Sequence, residues 1–155
     1  MSKSHARVVA ALEASGLGHE LRNVAQARTA EEAAAAAGCT LDQIVKSILF
    51  RGAASGHVVL FLTAGGNRVC AEKASAVAGE ALGKADAALV RAETGFAIGG
   101  VAPIAHPQKL RLFWDRRLDD FAQVWAAAGT PRDIFAMAPG DLRRLSGAEP
   151  ADFTA

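Results

Sequence analysis

Apolar residues recur along this chain with two different periods, and the changes of period mark its elements. From Ser4 to Ser15 the side chains of Val8, Val9 and Leu12 fall on one face at helical spacing, and Gly16 and Gly18 end the run. His19 to Ala25 reads as a short strand. Thr29-Ala-Glu-Glu32 has the form of a capping box that opens an alanine-rich helix, and Gly38 closes it. A short turn of helix follows from Leu41. Val45 to Phe50 and Val58 to Leu62 are then β-rich runs separated by Arg51 to Gly56, which predicts an antiparallel hairpin with a loose loop. Ala64-Gly-Gly-Asn67 is a turn, and Glu72 to Ala78 is a helix.

The second half is more mixed. Ala87 to Val90 reads as a strand, and Leu110 to Trp114 as another. Phe121 to Ala128 fits two readings: its alanines favour helix, but it is short and ends in Gly129-Thr-Pro131. Ile134 to Met137 follows as an apolar run, so the pair is read as a second hairpin. Pro139 to Leu145 is a final helix with proline near its start. Helices and hairpins alternate without a regular βαβ order. The expected fold class is α+β, with a mixed, largely antiparallel sheet.

Composition narrows the class. The 155 residues fit one domain, read as spanning 1–155, with 51% apolar and 21% charged residues. A formal net charge of +1 makes the molecule as a whole a poor electrostatic trap for nucleic acid. Basic clusters still occur at Arg111, Arg116 and Arg117, and at Arg143 and Arg144. The polar N-terminus lacks the apolar core of a signal peptide, and no apolar run approaches the ~20 residues that span a bilayer. Cys39 and Cys70 have no CxxC spacing, so they read as two reduced thiols in a cytoplasmic protein.

Candidate chemistry is sparse. No GxSxG elbow, HExxH helix, GxGxxG or GxxxxGK[ST] loop is present, and the four histidines are scattered. Two features remain. Gly95-Phe-Ala-Ile-Gly-Gly-Val-Ala-Pro-Ile-Ala-His106 sets glycines and a proline into an apolar run, the make-up of a rigid loop whose N–H groups can face a ligand. Lys46 sits inside the apolar run Gln43 to Phe50, where it must snorkel or find an anionic or carbonyl partner. Taken singly, the loop is a turn and Lys46 an ordinary strand lysine.

Their combination resembles a known family. Ile44-Val-Lys-Ser-Ile-Leu-Phe50, the 95–106 loop with its GGxxP core, Phe113-Trp-Asp115 and Asp141-Leu-Arg-Arg-Leu-Ser146 are similar, in order and spacing, to the YbaK/ProRS-associated editing domains. The likeness covers nearly the whole chain. It implies a sheet curled into a partly open barrel with flanking helices, and it turns Phe121 to Ala128 toward strand. It also implies a deacylase, freestanding or synthetase-linked, that hydrolyses a small mischarged amino acid (alanine, 2-aminobutyrate, serine, threonine or cysteine) from tRNA, foremost proline tRNA; a chain no longer than the domain is expected to be the freestanding kind. Prolyl-tRNA synthetase is the implied protein partner, and no cofactor, metal, membrane or DNA is expected. Matched by position, Lys46, Gly99 and Gly100 are the implied catalytic residues. Ser47, Val101, Pro103 and His106 are the implied substrate contacts. The family commonly has glycine before the loop histidine, where this chain has Ala105, and some subgroups have asparagine or threonine at the Ser47 position. Arg111, Arg116, Arg117, Lys73 and Lys109 are candidates for tRNA phosphates. A non-catalytic module binding tRNA or a synthetase on the same fold is the alternative.

Overall fold

The computed structural model describes residues 2–155. Helix α1 (Lys3–Ser15) begins where the Ser2 hydroxyl accepts the His5 N–H, and ends at Gly16 in the left-handed conformation. After β1 (Glu20–Asn23), helix α2 (Ala30–Ala37) is capped by Thr29, whose hydroxyl oxygen accepts the Glu32 N–H, and stops at Gly38 with φ 73°. A 3₁₀ turn at Leu41–Gln43 leads into β2 (Val45–Gly52) and β3 (Val58–Ala64), which form the expected antiparallel hairpin. Helix α3 (Ala71–Ala78), strand β4 (Leu82–Lys84) and helix α4 (Ala87–Thr94) follow.

Helix α4 replaces the strand expected over Ala87 to Val90. The Asp86 carboxylate accepts the Leu89 N–H at 2.8 Å, and Gly95 at φ 78° ends the helix. These two caps decide an apolar run that is too short to show its own period. The remaining elements are β5 (Arg111–Asp115), β6 (Val124–Thr130), β7 (Asp133–Met137), α5 (Pro139–Ser146) and β8 (Glu149–Ala151). Phe121 to Ala128 thus contributes the start of a strand, paired antiparallel with β7 in a second hairpin.

The strands form two sheets. One has the order β1-β7-β6, all antiparallel. The other has the order β4-β2-β3-β5-β8, with the β3–β5 and β5–β8 pairs parallel. A parallel bridge between Ile44 and Trp125 links them, and no closed barrel forms among the described residues. The principal core lies between the sheets. Leu60 and Leu62 of β3, Leu112 and Trp114 of β5, Ala126 and Ala128 of β6 and Phe135 of β7 meet there, joined by Val8 and Leu12 of α1. Successive strand residues point to opposite faces. Val59 and Phe61 therefore leave that core for a second cluster, where Phe61 stacks on Phe113 at 5.3 Å and meets Phe153 edge-on at 4.9 Å. Burial on both faces marks β3 as the central strand, and it fixes the register of its neighbour β2, which carries Lys46.

Candidate functional site

The alternation of β2 sends its two site candidates apart. Val45 and Leu49 pack on the principal core and Ile48 and Phe50 on the Phe61 cluster, so Ser47 and Lys46 occupy opposite faces. The Ser47 hydroxyl donates to the Val101 carbonyl at 2.8 Å and ties the glycine-rich loop to the strand. The Lys46 ammonium donates to the Asn67 carbonyl at 2.6 Å, in the turn after β3. No carboxylate lies within ion-pair distance of Lys46 among the described residues. A half-buried cation held by one neutral carbonyl retains both its charge and spare donors for a ligand.

Both residues line a cavity of about 500 Å³, which also touches Gly99, Val101, Arg28 and Trp125. Its walls are otherwise mostly apolar, from β6 and the segment that leads into α2. They contain no aspartate, glutamate or histidine. Ile98, 57% exposed, lies at its edge on the glycine-rich loop.

The loop is anchored at one end by Phe96, fully buried under the Arg7 guanidinium, which also donates to the Gly95 carbonyl at 3.0 Å. Gly99 adopts φ 92°, a region that glycine enters freely. Gly100 has a different reason to be glycine: a Cβ there would lie 2.8 Å from Thr130 Cα, against the end of β6. Its N–H, expected to face substrate, donates instead to the Ala97 carbonyl at 3.0 Å and closes a turn. Among the described residues, the Gly99 and Val101 N–H groups have no acceptor. Val101 is 2% exposed, and a buried N–H without an acceptor is uncommon.

Pro103 and His106 lie elsewhere. They line a separate cavity of about 330 Å³ with Lys109 and Ser146 and do not reach the lining shared by Lys46 and Gly99. The His106 Nε2 is 2.7 Å from the Ala102 carbonyl, and its ring meets the edge of Phe96. Burial holds its pKa below the ordinary histidine value, so the ring is neutral at pH 7 and donates to Ala102. Here it braces the loop. Ala105, where glycine is common in the resembling family, adopts φ 65° and is the one non-glycine residue with positive φ among the described residues.

Most of the expected phosphate-binding cations already have partners. Arg111 pairs with Glu80, Arg117 with Asp42 and Asp120, and Lys73 with Asp152; Arg143 and Arg144 pair with Asp119 and Asp141. Lys109, Arg116 and Arg28 are exposed and form no ion pair among the described residues. Arg28 is the cavity cation that the sequence reading missed. Its one available signal was its place immediately before the Thr29 cap, and that signal says nothing of a cavity. Cys39 and Cys70 are free and half-buried, and burial raises the Cys39 pKa. Among the described residues no cluster of three His, Cys, Asp or Glu side chains could hold a metal, and no helix is long and apolar enough to cross a membrane.

Comparison with known proteins places this arrangement in context. The model of the aminoacyl-tRNA editing domain matches residues 24–145, a span that includes Lys46, the glycine-rich loop and the second hairpin. Over 118 residues the chain is 30% identical to the uncharacterized protein YwhH of Bacillus subtilis (strain 168), covering 76% of this chain and 74% of that protein. A crystal structure described as a candidate trans-editing enzyme for prolyl-tRNA synthetase is 43% identical, with a TM-score of 0.92 over 100% of this chain and 99% of that one. The structure of the hypothetical protein APE2540 is 30% identical, with a TM-score of 0.86 over 96% and 99% of the two chains.

Proposed function

The chain belongs to the aminoacyl-tRNA editing domain family, and from that premise we propose that it is a trans-editing deacylase. It would remove a small mischarged amino acid from tRNA, with proline tRNA the first candidate and prolyl-tRNA synthetase the system it serves. The observation that carries this reading is the shared cavity. Lys46, whose ammonium meets no carboxylate among the described residues, and Gly99 and Val101, whose N–H groups have no acceptor there, all line one mostly apolar space. The likeness to a candidate trans-editing enzyme for prolyl-tRNA synthetase supports the choice of tRNA.

An aminoacyl ester is already reactive, so the site need supply no strong nucleophile. Attack of water on the ester carbon places negative charge on the carbonyl oxygen. The Gly99 and Val101 N–H groups are the donors we assign to that oxygen, the interaction that usually contributes most in acyl transfer. Lys46 binds a phosphate or carbonyl oxygen at the tRNA terminus. The cavity walls carry no side-chain base. The proton of the attacking water therefore passes through the substrate, by its vicinal ribose hydroxyl or its own amine, or through bulk water, to the ribose oxygen that leaves as the ester C–O bond breaks. Alanines 126 and 127, with Val101, narrow the space for the amino-acid side chain. Apolar walls separate homologues differing by one methylene by only ~1–3 kcal/mol, so rejection of proline rests on size and shape.

The missing base is also what a non-catalytic tRNA- or synthetase-binding module would show. One experiment separates the two. Purified protein and Lys46→Ala are assayed against proline tRNA carrying alanine, 2-aminobutyrate, serine, threonine, cysteine or proline. Lys46-dependent release of a small amino acid that spares prolyl-tRNA is expected. Salt-sensitive tRNA binding without release of any amino acid would establish the binding module instead.

A further inference from the structure

Behind Lys46 lies a second layer of contacts that the assignment of Lys46 itself does not explain. The carbonyl that receives its ammonium belongs to Asn67, in the tight turn 64–67 that follows β3. That turn is held from three sides. The Asn67 N–H donates to the Ala64 carbonyl at 2.9 Å and closes the turn itself. On the side of β5, one carboxylate oxygen of Asp115 accepts both the Ala64 N–H at 3.0 Å and the Asn67 side-chain amide at 2.9 Å. On the side of the 3₁₀ turn, the Asp42 carboxylate accepts the Gly66 N–H at 2.8 Å, and a Cβ on Gly65 would lie 2.2 Å from the Leu41 carbonyl.

The two acidic groups are themselves joined. The other Asp115 oxygen accepts the Arg117 N–H at 3.0 Å, and the Arg117 guanidinium donates to Asp42 at 3.0 Å. Asp115 is 5% exposed, and its oxygens are occupied by donors from three residues. A buried carboxylate is costly unless its oxygens are hydrogen-bonded, and these three donors meet that need.

The acceptor offered to Lys46 is also chemically particular. Asn67 presents a neutral carbonyl, while the Asp115 carboxylate meets the Asn67 side-chain amide and not the ammonium. A carboxylate at the ammonium would neutralise it. A carbonyl fixes its position and leaves its charge and two of its three N–H groups available.

We propose that Asn67 and Asp115 are positioning residues for Lys46. Asp115 fixes the turn, the turn fixes the Asn67 carbonyl, and the carbonyl holds the Lys46 ammonium as a localised, uncompensated cation for an anionic or polarised substrate oxygen. The proposal deepens the deacylase reading and rests on it for its kinetic consequences.

Its test uses the full chain with Asn67→Ala, Lys46→Ala and the double variant. Loss of the Asn67 amide frees the turn from Asp115, and kcat/KM for the best aminoacyl-tRNA should fall about tenfold to a hundredfold, the usual effect of misplacing a catalytic group by about an ångström. The double variant should be no slower than Lys46→Ala alone, because Asn67 acts only through Lys46. A second readout needs no activity. The ammonium ¹H–¹⁵N resonance of Lys46, visible while its protons are held, should broaden or vanish in Asn67→Ala. If Asn67→Ala does not fold, Asn67→Ser takes its place with the same expectations. An unchanged resonance, or a loss that adds fully to that of Lys46→Ala, overturns the positioning role. Full activity of Lys46→Ala with a perturbed resonance in Asn67→Ala would instead overturn the deacylase site and leave the anchoring intact.

Discussion

Replacing Gly100 by alanine tests how the glycine-rich loop is seated. Gly100 does not adopt a positive φ, so an added methyl group meets only its neighbours. Those neighbours are Thr130 Cα at 2.8 Å, Thr130 C at 3.0 Å and the Gly129 carbonyl oxygen at 3.1 Å, all backbone. No side chain can rotate away. The end of β6 cannot retreat either. Gly129 lies against α1, where a Cβ on it would meet the Ser4 carbonyl at 2.6 Å, and the Thr130 hydroxyl donates to Asp133 at 2.6 Å across the hairpin turn. The loop must therefore move, at the ~1–3 kcal/mol typical of overpacking. For a chain of this length each kcal/mol lowers Tm by about 2–4 °C, so a drop of about 2–12 °C is expected by calorimetry. The moving segment carries the Gly99 and Val101 N–H groups, and their displacement should lower kcat for deacylation by about 10²-fold. Gly99→Ala is the matched control. Its methyl group has room, 3.6 Å from Pro131, and its cost comes from φ 92° alone, about 1–2 kcal/mol. A Gly100→Ala protein that melts within about 1 °C of the parent and keeps its kcat would refute the picture of a loop wedged against β6.

Four further expectations follow from the contacts. Ala105→Gly relieves a left-handed alanine at φ 65° but adds unfolded-state entropy, so its net effect should lie between zero and about 1 kcal/mol of stabilisation; denaturant midpoints check it, and a clear destabilisation would contradict the strain. Ser47→Ala removes the hydroxyl that holds the Val101 carbonyl and should cost about 0.5–1.5 kcal/mol in urea unfolding, with a larger proportional loss of deacylation than of tRNA binding. The N–H of Ser55, with the Arg111 guanidinium and the Ala54 N–H, holds the Glu80 carboxyl down to about 2. Its native pKa lies below the unfolded value, so its stabilisation is complete above about pH 4.5 and fades as pH falls toward 2; Glu80→Gln should flatten unfolding midpoints across that window. Affinity for tRNA should fall steeply with salt, and Arg28→Ala should reduce the slope by about one phosphate contact; an unchanged slope would remove Arg28 from the interface.

Sequence pattern revealed the elements whose signals are local. Gly16 and Gly38 end their helices in the left-handed conformation, and the β2–β3 hairpin follows from two β-rich runs and a polar loop. Four apolar residues at Ala87 to Val90 could not distinguish strand from helix, and the deciding Asp86 cap is a single residue. The edge strands β4 and β8 have three residues each and owe their form to the neighbours β2 and β5, which no local pattern displays. At the candidate site, Lys46, Ser47, Gly99 and Val101 border one cavity; singly each reads as an ordinary turn or strand residue, and only the family resemblance draws them together. Pro103 and His106 belong to the same motif but line another cavity. Asn67 was legible as a turn residue only. Its contribution is a backbone carbonyl, and a carbonyl carries no residue-specific signature.

The polarity of the cavity constrains what chemistry can happen there. Hydrolysis of an ester needs stabilisation of a developing oxyanion and a destination for a proton. Lys46 and the unspent N–H groups of Gly99 and Val101 are suited to the first need, since all are donors and none must reorganise to meet a negative charge. For the second, the cavity walls hold only the hydroxyls of Ser47, Thr29 and Thr130, and the first already donates to Val101 and the last to Asp133. His106, the one titratable residue of the 95–106 loop, is half-buried, neutral and committed to the Ala102 carbonyl. The proton must therefore leave through the substrate or bulk water. Such a site is slow toward unactivated amides and esters, and becomes effective when the bound ester brings its own amine or vicinal hydroxyl. An aminoacyl-tRNA carries both. Removing both routes at once, with a substrate that lacks the vicinal ribose hydroxyl and carries an N-acetylated amino acid, should then depress kcat far more than KM, whereas a hidden protein base would leave kcat nearly unchanged.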